Sequence, residues 1–317
     1  MITLSVVVPA TDDPPTLDRC LASLSASDDR ADEVLVVTDP SLSASAARND
    51  GAARAVGDVV VFVDADVEVH PDALGRIRRT LDGSPDLGAV FGSYDDSPDH
   101  RSVVSAFRNL LHHHVHHRSA GPAETFWTGL GAVRREAFLA VGGFDEARYP
   151  HPSIEDIELG ERLRAAGHTA ALDPAILGTH LKVWTLRSMV TTDFARRAVP
   201  WVSLQVRQRR LSGTLNCGWR HRLSAVASVV AVVAALLALV PVVAAGVAAL
   251  VGLNAGFYGL LLRRLGPAHA LAGIALHGLH HLVAVAAVPV GVVLGLRGVA
   301  RRSDVAPGRV PALGAEA

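Results

Sequence analysis

Two aspartates, Asp64 and Asp66, lie directly after the apolar run VVVFV with one alanine between them. Carboxylate oxygens are the ligands that hard divalent cations prefer, and such a cation can neutralise the charge of a diphosphate leaving group. The D-x-D spacing by itself arises often by chance, and a solvated turn with a helix cap is the alternative interpretation. Its position at the end of a predicted strand favours a metal site that holds a diphosphate.

A second acidic group opens a predicted helix that runs from Ser153 to about Ala166. Acidic residues in the first turn are stabilised by the helix dipole, so a simple N-terminal cap is one interpretation. The other is that one carboxylate deprotonates an acceptor hydroxyl, since a carboxylate facing an apolar cleft has its pKa raised toward that task. Helical spacing aims Glu155 and Asp156 in different directions. We therefore expect only one of them to face the acceptor.

The elements that must position these carboxylates alternate along the first part of the chain. Apolar, β-branched runs separated by helical patterns predict an α/β fold with a mostly parallel sheet and helices on both faces. In such sheets the ligand binds at the carboxyl ends of the strands, where Thr11, Asp39 and Asp64 follow three of the runs. The predicted strands are Ile2–Val8, Glu33–Thr38, Asp58–Val63 and Leu87–Tyr94, and helices are predicted from Pro14, over Ser43–Val56 and from about Pro71.

Charge is distributed unevenly along the 317 residues, although the formal net charge is only −1. No Asp or Glu occurs between Asp193 and Asp304, whereas the first part of the chain is rich in both. The first part has no basic patch, which argues against nucleic acid as the main partner. Its N-terminus lacks the basic segment and the long apolar run of a signal peptide, so we expect the bulk of the chain to stay where it is made.

The second part of the chain is basic and apolar. Seven arginines and no acid lie between Arg196 and Arg222, and uncharged stretches follow from Leu223 to Leu262 and from Leu265 up to Arg297. A bilayer crossing needs about 20 residues, so both stretches are long enough. The first fits either one tilted helix with an interfacial extension or a hairpin that turns near Pro241. A soluble bundle of Ala- and Val-rich helices is the alternative to a membrane region.

These patterns predict a multi-pass membrane protein with two to four crossings. The arginines before the first stretch place its N-terminal end, and the catalytic domain, in the cytoplasm. The predicted division is a catalytic domain over 1–195, a basic juxtamembrane segment over 196–222, transmembrane helices over 223–297 and a disordered tail over 298–317.

Six segments in the first 190 residues resemble family 2 glycosyltransferases, occur in that family's order and cover nearly all of residues 3–190. They are SVVVPATDDPPTLDRCLASL, EVLVVTDPS, AARNDGAARAVGDVVVFVDADVEVHPDAL, TFWTGLGAVRREAFLAVGGFDE, PSIEDIELGERLRAAGH and THLKVWTLRS. The resemblance implies a GT-A fold (Rossmann-like), a nucleotide-diphospho-sugar donor, a divalent metal (Mn²⁺ or Mg²⁺) and inversion at the anomeric carbon.

The resemblance also assigns roles to individual residues. It implies that Asp156 is the catalytic base, with Glu155 beside it in the motif. His180 is implied as a third metal ligand, and a partly buried histidine bonded to the backbone is the alternative. Lys182 and Arg187 are candidates for the diphosphate, or else plain surface charges. The implied donor site comprises Pro9, Thr11, Asp39, Asn49, Asp64, Lys182 and Arg187, and the implied metal ligands are Asp64, Asp66 and His180.

One segment departs from the family pattern. The second predicted strand ends in Thr38-Asp39-Pro40, where the family usually has a turn of the Asp-Asp-Gly-Ser type. Proline removes a backbone donor and fixes φ, so the nucleotide pocket is predicted to have an unusual shape. The base preference stays open for this reason.

Aromatic and histidine residues mark the acceptor side. Trp127, Thr128 and Gly129 are predicted to form a wall against which a sugar or lipid stacks, with core packing of a strand as the alternative. Histidines of the run His112–His117 form i, i+4 pairs on a helix, which metals can use. Because the surrounding FRNLLHHHVHHRS has an amphipathic helical pattern, we favour packing at the acceptor side or the membrane interface over a dedicated metal site.

The sequence therefore predicts a metal-dependent glycosyltransferase that acts on a lipid-linked or glycan acceptor at the membrane. Two alternatives stay open: a polyprenyl-phosphate glycosyltransferase, in which Asp156 matters less, and a catalytically inactive membrane scaffold that binds nucleotide-sugars. A nucleotidyltransferase would need a Gly-rich loop with a basic residue after the first strand, and VPATDDPP has neither.

Overall fold

The computed structural model describes residues 1–211, 213 and 215–303. Within this part of the chain, eight strands form one sheet, in the order β2-β1-β3-β7-β5-β8-β4, with β6 paired to β8. The strands are β1 (Leu4–Pro9), β2 (Glu33–Val37), β3 (Val59–Val63), β4 (Val67–Val69), β5 (Leu87–Tyr94), β6 (Gly121–Ala123), β7 (Leu130–Arg134) and β8 (Thr169–His180).

The sheet is mixed, which corrects the expectation that it is mostly parallel. Strand β1 pairs parallel with β2 and β3, and β5 pairs parallel with β8. The pairs β3–β7, β5–β7, β4–β8 and β6–β8 are antiparallel. A fully buried strand has the same apolar composition in either direction, so the run VVVFV of β3 does not indicate how its neighbour β7 is oriented.

Helices begin close to the predicted positions. Ser43 starts α2 because its side-chain oxygen accepts a hydrogen bond from the backbone N–H of Ala46, as an N-cap does. The helices of the first part are α1 (Leu17–Ser25), α2 (Ala44–Arg54), α3 (Ala73–Asp82), α4 (Val103–Arg118), α5 (Arg135–Ala140), α6 (Glu155–Ala165) and α7 (Leu186–Thr191). A π-helix, Thr192–Ala198, continues from α7 into α8 (Val199–Gln208), and a short 3₁₀ turn covers Leu215–Cys217.

The remaining helices are α9 (Trp219–Leu236), α10 (Val240–Leu253), α11 (Ala255–Leu265) and α12 (Pro267–Ser303). Helices α9 and α12 are long and apolar enough to cross a membrane, and α10 with α11 passes the same test as a pair bent by 76°. The described part of the chain thus has two candidate spans, or three if the bent pair is one span. Helix α12 includes residues 298–303, the start of the tail predicted to be disordered, and 304–317 lie outside the described residues.

The first uncharged stretch forms the hairpin that was one of its two alternatives. Helix α9 ends at Leu236 and α10 begins at Val240, with Pro241 in its first turn, where the missing N–H costs no helical hydrogen bond. The two helices approach closely, because a Cβ built on Gly246 would lie 3.0 Å from the Cβ of Ala231.

The tail helices pack directly on the catalytic part. Phe107, Leu110 and Leu111 of α4 share one buried apolar cluster with Phe257 and Tyr258 of α11. This contact covers one face of α4, the helix that carries the histidine run. The division into a catalytic domain and a tail stays a prediction, but the two parts share a core.

Candidate active site

A cavity of about 840 Å³ lies between the sheet, α4, α6 and the tail helices. It brings together side chains that are far apart in the sequence, from the end of β3, the start of α6 and the end of β8. The residues singled out in the sequence that line it are Asp64, Asp66, Trp127, Thr128, Glu155, Asp156, His180 and Lys182.

The loop that carries the two aspartates is fixed at both ends by backbone hydrogen bonds. The N–H of Asp64 donates to the carbonyl of Gly129 at 3.2 Å, and the N–H of Leu181 donates to the carbonyl of Asp66 at 2.8 Å. The loop is therefore held between the start of β7 and the end of β8. That arrangement places Asp64 and Asp66 next to residues at the ends of both strands.

Arg48 of α2 links the first aspartate to the acidic helix. Its guanidinium donates to Asp64 Oδ1 at 2.6 Å and to Glu155 Oε1 at 3.2 Å. Arg48 and Glu155 are 5% and 4% exposed. Glu155 also accepts a hydrogen bond from the backbone N–H of Ser153 at 2.6 Å. Glu155 is thus a buried partner of Arg48, and Asp156 is the carboxylate of the pair that is left to react.

Asp66 lies beside His180 and Lys182. Its Oδ2 is 3.7 Å from His180 Nε2 and 3.8 Å from Lys182 Nζ. Burial opposes its ionisation, but the imidazole and the ammonium outweigh burial and hold the pKa of Asp66 below its ordinary value. The ring of His180 stacks on Tyr94, with centroids 4.2 Å apart. This stacking fixes the direction in which Nε2 points.

Asp156 is a carboxyl group in the cavity whose acidity the fold alters strongly. Burial, together with the charge of Glu155, raises the pKa of Asp156 to about 7, despite the positive charges of Arg48 and Arg197. Its Oδ1 accepts from the backbone N–H of Ile157 at 2.8 Å, and its Oδ2 lies 3.5 Å from the N–H of Thr128. A carboxylate with a pKa near 7 is suited to accept a proton at neutral pH.

Trp127 and the histidines of α4 form one wall of the cavity. The ring of His112 lies 4.6 Å from Trp127 and 3.8 Å from His116, centroid to centroid. Burial lowers the pKa of His116 to about 4, so this ring is neutral at pH 7 and packs as an aromatic group. Gly129 leaves room for the tryptophan, since a Cβ there would lie 2.2 Å from its ring.

Five sequence-predicted donor residues do not line this cavity. Pro9 and Thr11 lie at the end of β1, and Asp39 is exposed, with its carboxylate accepting from the backbone and hydroxyl of Ser41. The Asn49 side-chain amide bonds the backbone of Phe144 and lines a separate shallow pocket, and Arg187 is exposed on α7. Their assignment to the donor remains a prediction.

Sequence reasoning missed four ionisable groups at the site. Arg48 lies within the AARND segment. An arginine in this Ala-rich predicted helix was the signal that could have identified it. Arg108 of α4 pairs with Asp193 at 2.9 Å, and His280 of α12 lies 2.8 Å from the same carboxylate. Asp193 belongs to the π-helix, which the sequence gives no means to predict.

The cavity holds few side chains that could serve together as ligands of a divalent metal. No group of three or more His, Cys, Asp or Glu side chains is arranged to hold a metal within residues 1–211, 213 and 215–303. Asp66 and His180 offer an oxygen and a nitrogen that face each other. Metal ions that act on phosphates are commonly held by one or two protein groups together with substrate oxygens. The pair fits an ion of that kind.

Comparisons with known proteins identify the family of the domain and the fold. Residues 42–142 match the model described as glycosyl transferase family 2. A mannosyltransferase, PcManGT from Pyrobaculum calidifontis, solved with GDP-Man and Mn²⁺, is 18% identical with a TM-score of 0.53; the match covers 93% of this chain and 87% of that one. This likeness establishes a shared fold.

A glucosyl-3-phosphoglycerate synthase from Mycobacterium tuberculosis, solved with Mn²⁺, UDP-glucose and glycerol 3-phosphate, is 20% identical with a TM-score of 0.40. That match covers 59% of this chain and 75% of the synthase. The curated protein sequences contain no significant match.

Proposed function

We propose that this chain, a glycosyltransferase that carries a family 2 domain on the GT-A fold, transfers a sugar from a nucleoside-diphospho-sugar to an acceptor hydroxyl at the membrane. The observation that carries the proposal is the joint position of Asp66, His180 and Asp156 in one cavity. Groups for the leaving diphosphate and for the acceptor proton thus face one space. Transfer by a single displacement needs both groups.

The acceptor half of the reaction rests on Asp156. The acceptor oxygen attacks the anomeric carbon, its proton passes to the Asp156 carboxylate, and the bond from that carbon to the diphosphate oxygen breaks. One displacement of this kind inverts the configuration at the anomeric carbon. With a pKa of about 7, Asp156 is ionised in half or more of the molecules at neutral pH and above, so it can take the proton.

The donor half rests on Asp66, His180 and Lys182. A bound Mn²⁺ or Mg²⁺ would supply positive charge to the departing diphosphate. Asp66 and His180 are the side chains that would hold this ion, and imidazole favours Mn²⁺ over Mg²⁺. The ammonium of Lys182, 3.8 Å from Asp66, adds a further positive charge on the same side. Asp64 is held by Arg48 and supports the loop.

The proposed location is a membrane, with several crossings and the cytoplasm as the compartment of the active site. Support comes from two helices that are long and apolar enough to span, and from the arginines between Arg196 and Arg222 that precede the first of them. Arginines near the ends of membrane helices favour the cytoplasmic side.

The test uses the full-length protein purified in detergent and a screen of nucleotide-sugars. We expect hydrolysis of at least one donor to depend on Mn²⁺ and to be lost in Asp66→Ala. A matched control is Asp82→Ala, since Asp82 is an exposed aspartate at the end of α3. Equal hydrolysis by wild type and Asp66→Ala, or hydrolysis unaffected by a chelator, would refute the proposed donor site.

A further inference from the structure

The catalytic cavity is also lined by residues of the tail helices. Small apolar side chains on one face of α12 form part of its wall, and arginines line it as well. The apolar residues are Ala284, Val285, Val288 and Val292. Helix α12 is also one of the helices long and apolar enough to cross a membrane. The cavity thus combines groups suited to sugar chemistry with a wall suited to hydrocarbon.

Unpaired positive charge lines this cavity. The side chains of Arg196 and Arg197, both on the π-helix, line the cavity and make no hydrogen bond or ion pair within the described part of the chain. The acidic groups near Arg197 are Asp156 and Asp193, and Asp193 is already paired with Arg108. Two free guanidinium groups in a cavity fit an anion such as a phosphate.

The π-helix that presents these arginines is anchored on both sides. Asp193, 4% exposed, accepts from Arg108 of α4 and lies 2.8 Å from His280 Nδ1 of α12. The arginines are therefore held at the junction between the catalytic part and a candidate membrane helix. π-Helical turns are often found at functional sites.

The charges in the cavity determine which part of an acceptor is favoured at each group. A phosphate placed at Asp156 would meet the charge of that carboxylate, which repels it. A hydroxyl meets no such penalty there. The phosphate is better placed at Arg196 and Arg197, which line the same cavity.

We propose, building on the function proposed above, that the acceptor is an anionic lipid with three parts. Its head carries the accepting hydroxyl beside Asp156, its phosphate binds Arg196 and Arg197, and its hydrocarbon chain lies along the apolar face of α12. A lipid-linked phospho-sugar has this chemistry. Val285 and Val288 of this apolar face are 37% and 44% exposed, so they are available to contact a hydrocarbon chain. A free sugar phosphate has no such chain and would leave these valines without a partner.

Tryptophan fluorescence gives a binding measurement that does not depend on turnover. Trp127, Trp184 and Trp201 line the cavity, whereas Trp219 does not. Full-length protein in phosphatidylcholine vesicles would be titrated with a long-chain isoprenyl monophosphate, the matching isoprenyl alcohol, a short-chain isoprenyl monophosphate and inorganic phosphate. We expect the long-chain phosphate to bind at least about tenfold more tightly than each of the others. The alcohol lacks the charge-assisted hydrogen bonds, and the short-chain and inorganic phosphates lack the buried hydrocarbon.

Variants assign the binding to the proposed groups. In the double variant with Arg196→Gln and Arg197→Gln we expect the affinity for the long-chain phosphate to fall about tenfold or more, and to approach that for the alcohol. Arg263→Gln is the matched control, because this exposed arginine of α11 does not line the cavity. Val288→Thr keeps the shape of the apolar wall and should weaken long-chain more than short-chain binding.

Three results would overturn the inference. They are equal affinity for the alcohol and the phosphate, equal affinity for inorganic and long-chain phosphate, and transfer of sugar to the monophosphate itself at a rate unchanged by Asp156→Asn. Binding of UDP and GDP with Mn²⁺ is measured on the same samples. If nucleotide binding persists while lipid binding fails, only the acceptor is wrong; if nucleotide binding fails, the proposed function is wrong.

Discussion

Replacing Asp156 by asparagine tests the catalytic base and the energetic cost of holding it. Asn keeps the shape of the side chain and removes its basicity. A positioned base contributes on the order of 10²–10⁴ in rate, so kcat should fall by about that factor. Donor binding should stay nearly unchanged, because Asp156 accepts from Ile157 and faces Thr128 rather than the Asp66–His180 pair.

The same substitution should stabilise the folded protein at alkaline pH. The fold raises the pKa of Asp156 from 3.8 to about 7, chiefly through burial and the neighbouring Glu155. A displacement of this size corresponds to at most about 4 kcal/mol. A raised carboxyl pKa means that the folded state prefers the neutral acid. This contribution to stability is complete below about pH 4 and is lost as the pH rises toward 7.

The assay compares wild type and Asp156→Asn in thermal unfolding and in turnover between pH 4 and pH 9. The gain in melting temperature of the variant should be near zero at pH 4 and reach a plateau above about pH 7, where the carboxylate is fully ionised. Wild-type kcat should rise through about pH 7, as expected for the pKa of Asp156, and that rise should be absent in the variant. Asp82→Asn, an exposed site, is the control. A variant with unchanged turnover, or one that loses donor binding, would contradict the assignment of Asp156 as the base.

Other substitutions address the rest of the site. His180→Ala should raise the Mn²⁺ concentration needed for half-maximal donor hydrolysis without changing the melting temperature much; unchanged Mn²⁺ dependence would remove it from the ligand set. Arg48→Met should lower the free energy of unfolding by about 3–5 kcal/mol, as measured by denaturant titration, because the buried carboxylate of Glu155 and the partly exposed one of Asp64 lose their partner. In Asp193→Asn the melting temperature should fall, since buried Arg108 is left with a weaker partner; an unchanged melting temperature would show that the pair is not stabilising. Protein remaining with membranes after a carbonate wash would support the predicted spans, and recovery in the soluble fraction without detergent would exclude them.

Local signals in the sequence located the main catalytic candidates. Asp64 and Asp66 follow an apolar run that forms β3, and Glu155 and Asp156 begin α6 as the helical pattern predicted. These features depend on a few adjacent residues, which is why sequence patterns can find them. The hairpin near Pro241 has the same kind of local cause.

Other features were decided only by the tertiary structure. Which of the two acids is free to act depends on Arg48, which lies 107 residues from Glu155 and pairs with it from helix α2. The direction of β7 and the pairing of Asp193 with His280 of α12 also depend on contacts between distant segments.

The sequence by itself therefore determined where the chemistry-bearing residues lie along the chain and what type of element carries each of them. It could not determine the strand directions or the shape of the acceptor cavity, and it pointed to Asp156 over Glu155 only through the family resemblance. The physical reason is that propensity and hydrophobic period act over a few residues, whereas burial, ion pairing and pKa depend on groups that the fold brings together.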